Sequence, residues 1–426
     1  MTSEPRVIVA GGGLAGLVAA RHLAAGGVAV TLFERREDVG GRVRTVERDG
    51  YRFDRGFQVL FTAYPAVQRE LDLETLDLRR FAPGACIARP GHRSTLSDPL
   101  RDPRTLPTTL FNPDLTVGDK LRLLRLRRRL ERTDPAVVFA GDDGSIDEYL
   151  HEREFTDRFV ENFAAPFYGG ITLDRSLSTS RRVFEYTFKA LSEGDIAVPA
   201  AGMGAIPRQL TARAREAGAT VETGTTVESV SQDGDGVVVS ADGETLEADA
   251  VVVATDPPTA RDLTGVASVP TTARACVTQY YTLRGGTDLE TGKRLLLNAS
   301  EEGPNHVVPH SDVAPEYAPD DATLVSATYL GEREEGDDEL AAISRQTLES
   351  WYPERRFDRF EAVHTERVAF AQFAQPPGIH DRLPDVRDPE GAVYLAGDYT
   401  QWSSIQGAME SGRMAAKAVV EDLSSA

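Results

Sequence analysis

The chain opens on a short apolar run, RVIVA at residues 6–10, which stops at GGGLAG and passes into LVAARHLAAGG, where apolar and small residues recur at helical spacing until two glycines end them. A second apolar run follows at 28–33. This order predicts a buried strand, a helix and a parallel strand, a β-α-β unit. From about 51 to 195 the pattern becomes mostly helical and irregular, and includes LRLLRLRRRLER and the run 146–162. Residues 196–218 read as a turn and a helix. From 219 to 255 strand follows strand, with Asp-Gly turns at 233–234, 235–236 and 242–243 that mark a β-meander returning to the buried run ADAVVVAT. Residues 273–373 mix strands with one helix at 339–351, and the tail holds a strand, AVYLAGD, and a long helix over about 406–423. The nucleotide-binding type of pattern thus occurs at both ends and in the middle. Two domains are expected, each built from discontinuous segments: 1–55, 195–265 and 385–426 for one, 56–194 and 266–384 for the other.

Composition narrows the class. The longest apolar stretch, 7–20, is interrupted by glycines and runs into Arg21 and His22, a poor bilayer span of the ~20 residues needed. Residues 1–6 lack a net positive charge, so neither a membrane helix nor a signal peptide is expected. Cys86 and Cys276 are the only cysteines, which argues against a disulfide scaffold or a cysteine metal cluster and fits a reducing cytoplasm. Acidic residues number 67 against 47 basic, a formal charge of −20, and only Lys120, Lys189, Lys293 and Lys417 are lysines. A GC-rich genome would exchange Lys for Arg but would not create the acidic excess. The surface therefore points to a high-salt cytoplasm of the kind halophilic archaea maintain, where the Debye length falls to ~3 Å and self-repulsion is screened. A nucleic-acid partner is not expected, because phosphate binding needs concentrated positive charge.

Chemistry begins at Gly11, Gly13 and Gly16, a GxGxxG between strand and helix, with Glu34 at the end of the next strand. Gly11 permits the tight turn, Gly13 lets a pyrophosphate approach the backbone and the helix N-terminus, and Gly16 allows close helix–sheet packing. Glu34 suits a ribose diol and disfavours a 2′-phosphate. Dinucleotide binding follows from this context rather than from the glycines alone.

The next stretch, ERREDVGGRVRTVERDGYRFDRGFQVL, resembles the segment following the adenosine site in the FAD-dependent amine oxidase, phytoene desaturase and protoporphyrinogen oxidase superfamily. VPAAGMGAIPRQL, TTVESV and YLAGDYTQWSSIQGAMESG are similar to that superfamily's later motifs. The resemblance implies an α/β fold in which a Rossmann-type FAD-binding domain is interleaved with a mixed α+β substrate-binding domain, and noncovalent FAD. It implies cofactor contacts from Gly11, Gly13, Leu14, Ala15, Gly16, Glu34 and Arg35. Gly40 and Gly41 would pass close to FAD, Arg42 would neutralise phosphate charge, Gly56 and Phe57 would lie near the flavin ring, and the backbone of Val227 would meet adenine. Gly397 and Asp398 would serve the ribityl or pyrophosphate region. A helix starting near Gln406 and Gly407, flanked by Ile405 and Ala408, would aim its N-terminal amides at the flavin N1/O2 edge and stabilise the reduced ring.

Departures from the pattern order the substrates. Amine oxidases of the superfamily place an aromatic where this chain has Ser404, and use a lysine near the flavin, for which only Lys189 and Lys293 lie in the substrate portion. AGDYT is closer to the desaturases, and FAAPFYGGITLDRSLSTS resembles a segment of protoporphyrinogen oxidases and plant-type desaturases. The leading expectation is hydride removal from a carbon of a lipophilic isoprenoid or polyene, with oxygen or a quinone as acceptor and no obligatory catalytic side chain. Phe163, Phe167 and Tyr168 would wall its site, with Ser404 a further substrate-site residue. Amine or protoporphyrinogen oxidation, or an FAD-binding assembly protein without turnover, are the alternatives. On a helix expected over 119–132, Leu121, Leu124, Leu126 and Leu130 share an apolar side while Lys120, Arg122, Arg125, Arg127, Arg128, Arg129 and Arg132 gather elsewhere. Two readings stand: peripheral docking on an anionic bilayer, or a solvated face pairing with acidic neighbours, the commoner origin of charge runs. No metal site is expected, since Pro309 opposes the helix that would align His306 with His310.

Overall fold

In the computed structural model, which describes residues 4–97, 101, 112–283 and 289–425, the initial pattern becomes the centre of a five-stranded parallel sheet. Its order is Thr220–Thr223, Ala29–Glu34, Arg6–Ala10, Ala250–Val253 and Val393–Leu395. The two central strands, Arg6–Ala10 and Ala250–Val253, are covered on both faces, which is why they read as unbroken apolar runs rather than alternating ones. The helix Leu14–Ala25 is buried almost all round, against the helices Ala205–Glu216 and Ile405–Ser425. Its small residues make that approach feasible: a Cβ on Gly412 of the C-terminal helix would stand 2.1 Å from the Ala15 carbonyl oxygen.

A seven-stranded sheet forms the second layer system, in the order Phe360–Phe373, Ala273–Leu283, Thr323–Leu330, His306–Pro309, Leu296–Asn298, Ala85–Arg89 and His92–Leu96. All its pairings are antiparallel except Leu296–Asn298 with Ala85–Arg89. The stretch expected to be helical and irregular therefore contributes the strands Tyr51–Asp54, Leu60–Phe61, Leu78–Arg80, Ala85–Arg89 and His92–Leu96. Two of them, Leu60–Phe61 and Leu78–Arg80, are too short to show an alternating period and find their partner only at Ile196–Pro199. That strand also replaces the turn expected at 196. It joins a small sheet with segments from the other expected domain, and one hydrophobic core runs through Val7, Phe61, Tyr64, Val183, Tyr280 and Trp402.

Asp54 is the pin between these parts. Buried, it accepts hydrogen bonds from Thr45 Oγ1 at 2.5 Å, Met203 N at 2.9 Å and Tyr317 Oη at 2.8 Å. Burial outweighs these bonds and pushes its carboxyl up from 3.8 to about 6. A raised carboxyl pKa contributes stability that is complete below the unfolded value and is lost as pH rises through the folded one. Comparison of chemical denaturation with Asp54→Asn should therefore show wild type gaining about 2 kcal/mol relative to the variant between about pH 7 and about pH 4. A pH-independent difference would refute this assignment.

The basic helix runs Val117–Glu131, with Thr116 and Asp119 forming a capping box. Its leucines do not share one side: Leu126 and Leu130 are buried, whereas Leu121 and Leu124 are exposed. No helix among the described residues is long and apolar enough to cross a membrane.

Candidate functional site

A cavity of about 630 Å³ lies along the carboxyl ends of the parallel strands, the position where open α/β sheets bind ligands. One end is built from the glycine turn. A Cβ on Gly11, whose φ is +113°, would sit 2.6 Å from the Ala254 carbonyl oxygen, and one on Gly16 would sit 2.0 Å from the Gly11 carbonyl oxygen. These glycines serve packing. Gly13 differs, because nothing lies within 4 Å of its would-be Cβ. The helix that starts behind it has neither a capping side chain nor an acid in its first turn, so its leading N–H groups are left to an anion. Leu14 and Ala15 of that turn line the cavity, as do Gly40, Gly41 and Val227.

Glu34 lines the same end and is held rigidly: Oε2 accepts from Gly12 N at 2.8 Å and Oε1 from Arg36 N at 3.0 Å. Each oxygen keeps a lone pair for a ribose hydroxyl. Arg35 lies at the rim, 3.4 Å from Asp256. Open glycine, unpaired amides and fixed acid together fit the nucleotide half of FAD.

Midway, Arg42 and Asp398 are found on each other, with Nη2 2.7 Å from Oδ1. Arg42 also donates to the Ala371 carbonyl at 3.2 Å, and Ser403 Oγ donates to Asp398 Oδ2 at 2.9 Å. Burial alone would lower the Arg42 pKa; the Asp398 carboxylate reverses that and raises it. The expected phosphate-neutralising arginine is thus already half engaged by the expected ribityl partner.

The C-terminal helix begins at Ile405, one residue ahead of expectation, and Ser404 is its cap: Oγ accepts from Gly407 N at 2.8 Å and the carbonyl from Ala408 N at 3.0 Å. Ser404, Ile405, Ala408 and Gly397 line the cavity; Gln406 and Gly407 do not. Gln406 Oε1 accepts from Ala66 N at 2.8 Å, and a Cβ on Gly407 would meet the Trp402 carbonyl at 2.1 Å. Gln406, Gly407 and Gly16 are packing residues of the site rather than its surface.

At the other end Gly56 and Phe57 line the cavity together with Ile171, Val183, Tyr64 and Trp402. Phe163, Phe167 and Tyr168 are not part of that lining, which corrects the expected wall. Phe163 stacks on Phe167 at 5.2 Å and Tyr168 is buried against Phe184. The helix Ala165–Thr172 presents its last turn to the cavity instead, where Gln372 Nε2 holds the Ile171 carbonyl at 2.7 Å. The contributions of Tyr64, Val183 and Trp402 were missed because they come from three distant segments: Tyr64 and Val183 lie in no motif, and the motif that holds Trp402 does not show which way its ring turns. Tyr64 and Trp402 touch edge to face, at 5.9 Å and 90°, which leaves no slot for a cation between them. No lysine lines the cavity among the described residues; Lys189 Nζ is bound to the Leu130 carbonyl and Glu193. Burial raises the Tyr64 pKa well above its ordinary value and pushes Cys276, beside Gly56, up to about 11, so both stay protonated. Behind Phe57, burial lowers His306 to about 4 and His310 to about 3, leaving both neutral. No metal-binding cluster occurs among the described residues.

A family model described as flavin containing amine oxidoreductase matches residues 14–420. The chain is 30% identical over 289 residues to the phytoene dehydrogenase of Streptomyces griseus, covering 61% of this chain and 56% of that protein. It is 26% identical over 285 residues to the carotenoid 3,4-desaturase of Haloarcula japonica, covering 59% and 55%. The chain thus spans little more than half the length of these two relatives. A solved oxidoreductase structure from Methanosarcina mazei superimposes with a TM-score of 0.75 at 18% identity, covering 98% of this chain and all of that one, a likeness of fold.

Proposed function

The chain belongs to the flavin containing amine oxidoreductase family, and from that premise we propose that it is an FAD-dependent oxidoreductase removing a hydride from a carbon of a lipophilic isoprenoid or polyene. The carrying observation is the inner end of the cavity, where Ile171, Val183, Tyr64 and Trp402 converge without a lysine, an ionised base or an open aromatic slot. Such a surface positions an apolar chain by burial. When bound, FAD supplies the hydride acceptor and passes the electrons to oxygen or a quinone. The protein's part is to hold the nucleotide through Glu34 and the amides behind Gly13. It also excludes water from the inner end and turns the N-terminus of the helix Ile405–Ser425 toward the cavity. The protonated Cys276 thiol favours noncovalent FAD. The partial matches to a phytoene dehydrogenase and a carotenoid desaturase agree with this substrate class.

Anaerobic stopped-flow mixing with isoprenoids, porphyrinogens and amines tests the reading. An isoprenoid should bleach the flavin fastest. Fast bleaching by a monoamine with isoprenoids inert would replace it with amine oxidation, and no bleaching by any would favour an FAD-binding protein without turnover. We also infer from the −20 charge that the protein works in molar salt. Its melting temperature should rise from dilute buffer to molar KCl as carboxylate repulsion is screened; an unchanged value would remove that inference.

A further inference from the structure

We propose that the outward face of the helix Val117–Glu131 docks the protein onto an anionic phospholipid surface. Five large apolar side chains are exposed among the described residues, and four of them fall between residues 117 and 137: Val117 at 66%, Leu121 at 50%, Leu124 at 41% and Val137 at 56%. Val117, Leu121 and Leu124 follow the helical spacing of four and three, so they form one stripe opposite the buried Leu126 and Leu130. Arg128 continues that stripe, and Arg125 and Arg132 flank it.

The arginines divide into two sets. Arg122 pairs with Glu154 at 3.1 Å, Arg127 with Glu131 at 2.8 Å, and Arg129 with Glu185. The side chains of Arg125, Arg128 and Arg132, all exposed, have no ion pair or hydrogen bond among the described residues. Glu131, the acid on this face, is neutralised by Arg127. In a chain of formal charge −20, three unpaired cations beside three exposed aliphatic side chains reverse the local sign and the local polarity together. An acidic protein surface would satisfy the guanidinium groups and leave the aliphatics in contact with polar atoms. A bilayer surface satisfies both, with headgroup phosphates for the arginines and acyl chains for Val117, Leu121 and Leu124.

The helix that carries this face is separated from the inner end of the cavity by one further helix. The basic helix packs on Arg181–Glu193, whose Val183 lines the cavity. The helix that follows it, Pro135–Ala140, places Phe139 5.8 Å from Trp402. The docking inference rests on the exposed residues and stands apart from the proposed substrate, so its test uses no substrate.

The test is co-sedimentation of the flavin-loaded full chain with vesicles of phosphatidylcholine alone and of phosphatidylcholine mixed with phosphatidylglycerol in equal parts. Wild type should bind the anionic vesicles preferentially. Leu121→Asp with Leu124→Asp should weaken that binding by at least about tenfold. Arg125→Glu with Arg128→Glu should abolish the preference for phosphatidylglycerol, again a loss of about tenfold or more. Val46→Asp, which changes the fifth exposed aliphatic side chain on the strand Thr45–Arg48, should bind as wild type does. All these positions are exposed, so flavin content and melting should be unchanged. Vesicles that pellet no protein, or variants that bind as wild type does, would overturn the proposal. So would sedimentation velocity showing a dimer that Leu121→Asp with Leu124→Asp dissociates, with no vesicle binding, because a second copy of the chain would then cover the face.

Discussion

Gly13→Ala is expected to leave the chain folded and nearly colourless, with FAD bound about a hundredfold more weakly. The folded chain without flavin has room for the new methyl, since nothing lies within 4 Å of that Cβ position. The methyl would instead occupy the path by which a pyrophosphate reaches the amides of the helix Leu14–Ala25. Gly16→Ala should behave differently. Its Cβ would stand 2.0 Å from the Gly11 carbonyl oxygen, so the turn and helix must separate and the chain without flavin should lose about 3 kcal/mol or more. Flavin released by acid per mole of chain, together with melting of the flavin-free protein, separates the two effects. Equal loss of stability in both variants, or full flavin content in Gly13→Ala, would count against this division between cradle and packing glycines.

Ile171→Asp should slow anaerobic bleaching by an isoprenoid about a hundredfold, because a carboxylate at the apolar inner end must be desolvated when the substrate enters. FAD content should not change, since Ile171 lies away from the glycine turn and Glu34. Phe167→Ala is the control. Its half-buried ring packs with Phe163 and Tyr168 rather than on the cavity, so it should cost about 1 to 2 kcal/mol of stability and leave the bleaching rate of the folded, flavin-loaded fraction unchanged. If Phe167→Ala slows bleaching more than Ile171→Asp does, the inner wall has been assigned to the wrong turn of the helix Ala165–Thr172.

The nucleotide end was legible because its chemistry is local in sequence. Strand, glycine turn, helix and acid succeed one another within residues 6–34, and the physical demands on Gly11, Gly13, Gly16 and Glu34 are met by near neighbours or by backbone. The buried runs at 250–253 and 393–395 were equally plain, since a strand covered on both faces leaves a continuous apolar signature. By contrast, Leu60–Phe61 and Leu78–Arg80 are two and three residues long. Nothing so short carries a period, and their pairing with Ile196–Pro199 exists only after the chain has closed a long loop.

The sequence alone determined the dinucleotide cradle, the parallel core around it and the acidic, lysine-poor surface, because each depends on residues close in the chain or on bulk composition. Tertiary structure decided which side chains share the inner cavity, since Tyr64, Ile171, Val183 and Trp402 come from four segments brought together by packing. It gave Ser404 its role as a helix cap and set Arg42 against Asp398 across 356 positions of sequence. It also split the leucines of the basic helix between core and solvent. Helical periodicity fixes which residues share a face, but which face is buried depends on the neighbour that packs against it.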